Sequence, residues 1–391
     1  MKVSFDNLEV AFKDKTTEEL KFSYRIFKLM SNPALVKFFS KATVWALKLH
    51  LPIEWMIRKT VYRQFCGGET INKSLQVVER LGRNNVKSIL DYSVEGEDNE
   101  QSFEQTKKEL LKIIDVAAKN PFIPVTCIKL TGIMPSGLLE KVTEKGIENL
   151  TSSEKQAFEQ AERRLDEICK KSYETGVPIY IDAEESWIQG AIDMLAELMM
   201  ARYNDKKAVV FTTVQMYRWD RLEYLQNLIE KARKEENIVG VKVVRGAYME
   251  KENMRALEMG YPSPIQTDKE HTDRDYDKAI ELLVENIDIA ELCAGTHNEK
   301  SCYYLMELME QKGLAKDDRR IYFSQLYGMS DNISFNLAHA GYNVSKYLPY
   351  GPVKSTIPYL IRRAEENTAI AGQMGKEIQL IEKELKRRKA L

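Results

Sequence analysis

Apolar positions along the chain change their period once. From residue 1 to about 83 they recur at spacings of three and four with few β-branched clusters, which predicts helices throughout and an N-terminal helical arm over 1–83. From Val86 onward, short apolar runs alternate with long amphipathic stretches, the pattern of strand-then-helix units in a parallel sheet. Eight runs qualify: VKSILDYS near Val86, PVTCIKL near Val125, IYIDA near Ile179, VVFTTV near Val209, VGVKVV near Val239, IAELCAG near Ile289, IYFSQL near Ile321 and YNVSKYL near Tyr342. The capping box Thr151-x-x-Glu154 opens one intervening helix that ends near Gly176, and SWIQGAIDMLAELMMARYN begins another at Ser186. Eight such repeats predict an α/β fold of the (β/α)8 TIM-like barrel type over 84–391, closed by a C-terminal helical tail. An open doubly wound sheet is the competing arrangement, but no GxGxxG follows any strand.

Composition narrows the function. The 391 residues are 43% hydrophobic and carry 58 basic and 59 acidic side chains, so no global field favours nucleic acid, and small metabolites are the expected partners. Five scattered cysteines without CxxC spacing, and no secretory leader at MKVSFDNLEV, predict a reducing, cytoplasmic setting. No apolar run reaches the ~18 residues of a spanning helix. ALVKFFSKATVWALKLHLPIEWMI comes nearest, broken by Lys37, Lys41, Lys48 and Glu54, and reads as an amphipathic helix compatible with peripheral contact on the inner face of a membrane, as is the basic tail KELKRRKA. With four histidines and no HxH, HExxH or EF-hand spacing, no metal site is expected; neither a GxSxG elbow nor a GxxxxGK[ST] loop occurs.

Barrel active sites lie at the C-terminal ends of the strands, and polar residues gather there: Lys129, Asp182, Gln215, Lys242 with Arg245-Gly246-Ala247-Tyr248, Thr296-His297-Asn298, Gln325 with Leu326, and Tyr347. Each has a plain alternative. Lys129 could snorkel from an apolar wall, Asp182 could cap the next helix, Gln215 could be a packed amide, and His297 a core or loop donor. Tyr248, Tyr347 and Tyr359 could be core aromatics. Gly246 would allow close backbone approach to a flat ring. Further on, YLPYGPVKSTIPYLIRRAEE sets Arg362 and Glu366 four apart on one helix face, with Arg363 turned about 100° round the axis. Two guanidiniums can fork onto one carboxylate, although a solvated face with an i,i+4 ion pair is equally open.

Taken in order, IKLTG, IDAEES, VKVVRGAYMEKE, AGTHN, YFSQLYGMSDNIS, SKYLPYGP and YLIRRAEEN resemble the proline dehydrogenase family across nearly the whole barrel. The resemblance implies a distorted (β/α)8 barrel, bound FAD, oxidation of L-proline to Δ1-pyrroline-5-carboxylate, a membrane quinone as final acceptor, and a separate pyrroline-5-carboxylate dehydrogenase downstream. It assigns Arg362, Arg363 and Lys129 to the proline carboxylate, and Asp182, Ala247, Leu326, Tyr347 and Tyr359 to the pocket around its ring. It assigns Gln215, Lys242, Val244, Gly246, Thr296, His297 and Asn298 to FAD, with Lys242 near N5 and Gln215 on the isoalloxazine edge. Asp182, Ala247, Tyr248, Gln325 and Glu366 also belong near the cofactor, and Lys129, Asp182, Tyr347, Arg362, Arg363 and Glu366 form the catalytic set. Two positions depart from the pattern: Lys242 stands where several relatives carry arginine, and Met249 where some carry a bulky aromatic. Tyr347 matches enzymes that take proline, a small residue there favouring hydroxyproline. The rival readings are a hydroxyproline or other cyclic imino acid dehydrogenase, a barrel aldolase or isomerase using Lys129 or Lys242, and a non-catalytic scaffold.

Overall fold

The computed structural model describes residues 3–49, 51–94, 98–369 and 373–389. Eight strands form a closed barrel in sequence order: β1 (Val86–Tyr92), β2 (Val125–Ile128), β3 (Ile179–Ile181), β4 (Val210–Gln215), β5 (Val239–Val244), β6 (Ala290–Gly295), β7 (Ile321–Leu326) and β8 (Val344–Tyr350). This is the (β/α)8 architecture that the alternating runs predict. The chain divides into two compact units, a central one of residues 97–324 and a terminal one made of 1–96 with 325–391.

Within the central unit, register fixes which side chains face the lumen. Cys127 pairs with Tyr180, Tyr180 with Phe211, Phe211 with Gly240, and Lys242 with Cys293. Paired residues in parallel strands point the same way, and alternate residues along each strand share that face. The Tyr180 and Phe211 rings meet at 4.9 Å. Gly240 accommodates them, because a Cβ there would lie 2.7 Å from the Phe211 ring. The surrounding helices begin and stop as their ends dictate: Thr151 and Glu154 exchange the capping-box bonds that open Ser152–Thr175, and Gly176 closes it in the left-handed conformation.

In the terminal unit, β1 pairs with β8 in register, Ile89 opposite Tyr347. The chain before β1 is helical in pieces, notably Thr17–Met30, Pro33–Lys48 and Ile71–Gly82. Thr16 and Glu19 form a second capping box at the start of Thr17–Met30. That helix packs on Gln373–Lys389, and Pro33–Lys48 packs on Val353–Ala369, the helix that carries the arginine pair. Leu20, Phe27, Phe65, Met329, Val353, Leu360 and Ile381 are the buried side chains that join them. Tyr62 donates to the carbonyl of Gly351 at 2.8 Å, pinning the turn that leads into Val353–Ala369. Pro358 lies inside that helix, where it removes one helical N–H.

Candidate active site

Lys129, Asp182 and Lys242 meet in the central unit. Lys242 on β5 donates to Asp182 Oδ1, and Lys129 Nζ lies 3.7 Å from Asp182 Oδ2. Because β4 stands between β3 and β5, this contact runs across the lumen rather than along the wall. Asp182 is buried and does not cap the next helix, whose N-cap residue Glu185 makes no side-chain cap. Burial works against the charge on Lys242, but Asp182 outweighs it and raises the ammonium above its ordinary range. The lysine therefore keeps its proton at neutral pH. Lys129 is the most open of the three, with 16% of its side chain exposed.

The Gln215 side chain bonds to backbone through both its nitrogen and its oxygen. Its amide donates to the Glu184 carbonyl at 2.8 Å and its oxygen accepts from Ala247 N–H at 3.4 Å, tying the loop after β3 to the loop after β5. Gly246 has φ 143°, and a Cβ there would lie 2.4 Å from the Tyr217 ring, so the tyrosine makes a close approach that needs glycine. Val244 accepts from Met216 N–H at 2.9 Å and is half-buried, while Tyr248 is buried.

Arg245 and Glu184 escaped role assignment from sequence. Arg245 donates to Asp273 at 2.6 Å, to Thr296 Oγ1 at 2.7 Å and to Ser301 Oγ at 3.0 Å, and stacks over the Tyr276 ring at 4.3 Å. Thr296 Oγ1 also accepts from Asn298 N–H, and Asn298 caps Glu299–Gln311. A guanidinium beside a capped helix N-terminus of thirteen residues suits a phosphate-bearing group, and the buried ammonium of Lys242 suits a ring system that gains negative charge. His297 is half-buried on the same turn. Glu184, two residues past Asp182, accepts from Thr131 N–H at 3.1 Å and Thr131 Oγ1 at 2.5 Å, yet burial pushes its carboxyl up to about 7. The signal that could have exposed both lay in plain view, as charged neighbours of motif residues at the ends of β3 and β5.

The terminal unit holds Gln325, Leu326, Tyr347, Tyr359, Arg362 and Arg363. Gln325 accepts from Ser334 Oγ at 2.8 Å, and Tyr347, half-buried, gives its carbonyl to Tyr327 N–H at 2.9 Å. Leu326 is half-buried, and its carbonyl accepts from Lys346 at 3.4 Å. Tyr359 is buried, and the Arg363 guanidinium lies 5.5 Å from its ring. Burial pushes the Tyr359 phenol up to about 12 although Arg363 opposes the shift. Arg362 and Arg363 are both half-buried on Val353–Ala369. The backbone of Glu366 belongs to that helix, while its side chain lies outside the described residues. A cavity of about 530 Å³ in this unit is lined by Asp14, Glu19, Arg58, Arg80 and Tyr327 among others, and by none of the candidate residues. Its charges pair with one another, Arg80 with Asp14 at 3.2 Å and with Glu19 at 3.1 Å.

Among the described residues no group of His, Cys, Asp and Glu could hold a metal, no helix is long and apolar enough to cross a membrane, and all five cysteines are buried and outside any disulfide. A closed parallel barrel with a lysine–aspartate–lysine cluster at its lumen defines a (β/α)8 barrel enzyme. Comparison with known proteins gives the family. The proline dehydrogenase family model matches residues 74–376, and the chain belongs to that family of flavoenzymes. It is 31% identical to proline dehydrogenase 1, mitochondrial, of Dictyostelium discoideum over 96% of this chain and 74% of that protein. It is 32% identical to hydroxyproline dehydrogenase of Xenopus laevis over 96% of this chain and 88% of that one. Among solved structures, proline utilization A from Bdellovibrio bacteriovorus inactivated by N-propargylglycine superposes with a TM-score of 0.73 at 20% identity, over 96% of this chain. The chain spans 39% of the length of that protein.

Proposed function

We propose that this enzyme oxidises L-proline to Δ1-pyrroline-5-carboxylate, holding FAD as its two-electron acceptor and passing electrons on to a membrane quinone. The observation that carries the reading is the Lys129–Asp182–Lys242 cluster on the lumen side of a barrel whose sequence belongs to the proline dehydrogenase family. FAD supplies the hydride acceptor when bound. The chain's own residues supply position and charge. In the terminal unit Arg362 and Arg363 would offer paired N–H donors to the substrate carboxylate, and in the central unit Lys129 would offer it a further cation. Lys242, kept cationic by Asp182, favours negative charge on the cofactor ring. Arg245 and the N-terminus of Glu299–Gln311 would hold the pyrophosphate of the cofactor, and in the terminal unit Tyr347, Tyr359 and Leu326 would shield the substrate from water. Gln215 and Gly246 act by positioning, one through its two backbone bonds and the other by admitting Tyr217.

The Xenopus relative's name raises hydroxyproline as a second substrate. Tyr347 favours proline, since a 4-hydroxyl needs room that a phenol occupies. Dye-linked turnover with the two amino acids decides: kcat/KM higher for L-proline supports the reading, and a preference for hydroxyproline reverses it. Oxidation of L-proline that yields no material reacting with o-aminobenzaldehyde would remove the proposed product. A downstream dehydrogenase acting on the semialdehyde form is the expected consumer.

A further inference from the structure

The bond from Lys242 to Asp182 reaches from β5 to the end of β3, and β4 stands between them. Register fixes which residue of β4 the bond passes. Thr213 pairs with Lys242, and Thr212 pairs with Ile181, the residue before Asp182, so Thr213 is level with both ends of the ion pair. It shares the parity of Phe211 and Gln215 and so faces the lumen with Lys242. A β-branched side chain is stiff about χ1, which holds its hydroxyl oxygen close to one place.

Thr213 is 3% exposed, and its Oγ1 has no hydrogen-bond partner among the described residues. A buried hydroxyl without a partner costs folding free energy, and valine would fill the same volume without that cost. Thr212 carries an unpartnered hydroxyl too, but it has the opposite parity and faces away from the ion pair. Asp182 gives the hydroxyl of Thr213 a use. Lys242 donates to Asp182 Oδ1, while Lys129 stands 3.7 Å from Oδ2, beyond hydrogen-bond distance. An ammonium drawn to new negative charge in the lumen turns from its carboxylate, and a buried carboxylate that loses a donor is costly. Thr213 offers a neutral O–H level with that carboxylate, and a hydroxyl redirects its hydrogen without moving its oxygen. Cys293, the neighbour of Lys242 on β6, lies farther round the wall from Asp182, and a thiol is a weak donor.

We propose that Thr213 is a positioning residue whose hydroxyl donates to Asp182 when the Lys242 ammonium turns to negative charge on the reduced cofactor. The inference rests on the proposed flavin reaction, but its first test needs no turnover.

That test is a double-mutant cycle in urea on the full chain with saturating FAD, comparing the parent, Thr213→Val, Lys242→Met and the double variant. In the parent, Thr213→Val should leave the folding equilibrium constant within about twofold or raise it, because no bond is lost. In the Lys242→Met background the same change should lower the constant by about tenfold, since Asp182 then depends on the hydroxyl. Thr213→Ser keeps the hydroxyl and should change stability by the same factor in both backgrounds. The second measurement is the midpoint potential of the bound flavin, poised with dithionite and a reference dye. Thr213→Val should make it more negative, because reduction then leaves Asp182 short of a donor, and Thr213→Ser should stay nearer the parent. Reduction by L-proline should slow by about tenfold with KM unchanged. If L-proline leaves the parent's flavin oxidised, the proposed reaction fails, while the cycle and the potential still judge Thr213. Its role is overturned if Thr213→Val lowers stability equally in both backgrounds, if it alters stability in neither, or if the variant's potential equals the parent's.

Discussion

Lys346 on β8 and Lys242 on β5 are both lysines on barrel strands, both withdrawn from water and both facing an aspartate, yet their surroundings differ. Lys346 is fully buried, donates to the carbonyls of Leu326 and Met329, and lies 2.9 Å from Asp331. Asp331 in turn lies 2.7 Å from Lys15, and beside it Glu377 accepts from Ser330 N–H at 2.6 Å. This cluster ties the residues before β1 to β8 and to the C-terminal helix, all within the terminal unit. Lys242 keeps 10% of its side chain exposed, and its aspartate is shared with the more open Lys129. Burial lowers the Lys346 ammonium in spite of Asp331, whereas Asp182 raises that of Lys242 against burial. The second lysines do not differ, Lys15 being 18% exposed and Lys129 16%. The contrast lies in the strand lysines: Lys346, sealed from water and bonded to two backbone carbonyls, serves as a clamp, and Lys242 keeps an exposed edge at which a ligand can meet it.

Removing the carboxylate of the closed cluster should have the largest effect. Burial opposes ionisation of Asp331, but Lys15 and Lys346 outweigh it and hold the carboxyl well below its usual range. Asp331→Asn leaves two lysines without their anion and should cost about 3–5 kcal/mol of stability by urea titration, with turnover per folded molecule retained. An unchanged urea midpoint would show that the cluster is not a clamp.

Glu184 sharpens the contrast through pH. Its folded-state pKa of about 7 lies above the unfolded value of 4.5, so in between the folded state keeps a proton that the unfolded state has released. Its contribution to stability is fully present below pH 4.5 and is lost as pH rises to about 7. Glu184→Gln should flatten that stretch of the stability profile and exceed the parent by about 3 kcal/mol above pH 7. Parallel profiles for the two proteins would place the titration elsewhere.

The proposed substrate cations should respond in the opposite manner to Asp331. Arg362→Ala and Lys129→Met should each raise KM for L-proline by about ten- to a hundredfold, since a charge-assisted hydrogen bond contributes ~1.5–3 kcal/mol. Melting temperature and bound flavin should hardly move. Loss of folding without a change in KM would assign these cations to the scaffold instead. The smallest effect is expected at Gly246: Gly246→Ala presses a methyl group into the Tyr217 ring and should cost about 1–3 kcal/mol. Tyr217→Leu in the same chain should recover part of it, and no recovery would rule out the ring as the cause.

The barrel was legible because each strand is a compact apolar run with a long amphipathic helix behind it, and because Thr151, Glu154 and Gly176 mark helix ends by local chemistry alone. Lys129, Asp182 and Lys242 were legible as charges at strand ends. Strands buried on both faces, such as β8 with VSKYLPY, hide their parity, so nothing local separates Lys346 from Lys242. The reason for Gly246 was hidden for the same cause, since Tyr217 reaches it from another loop. The role of Arg245 depends on Asp273, Thr296 and Ser301, which approach only when the helices behind β5 and β6 are in place.

The central claim is that the open lysine–aspartate–lysine cluster serves the oxidation of proline on a bound flavin. Anaerobic titration of the purified protein with L-proline, followed in the visible spectrum, tests it most directly. The account predicts a yellow protein whose flavin absorbance bleaches as L-proline is added, with Lys129→Met requiring far more of it; a protein that takes up FAD and keeps its full colour at saturating L-proline would contradict it.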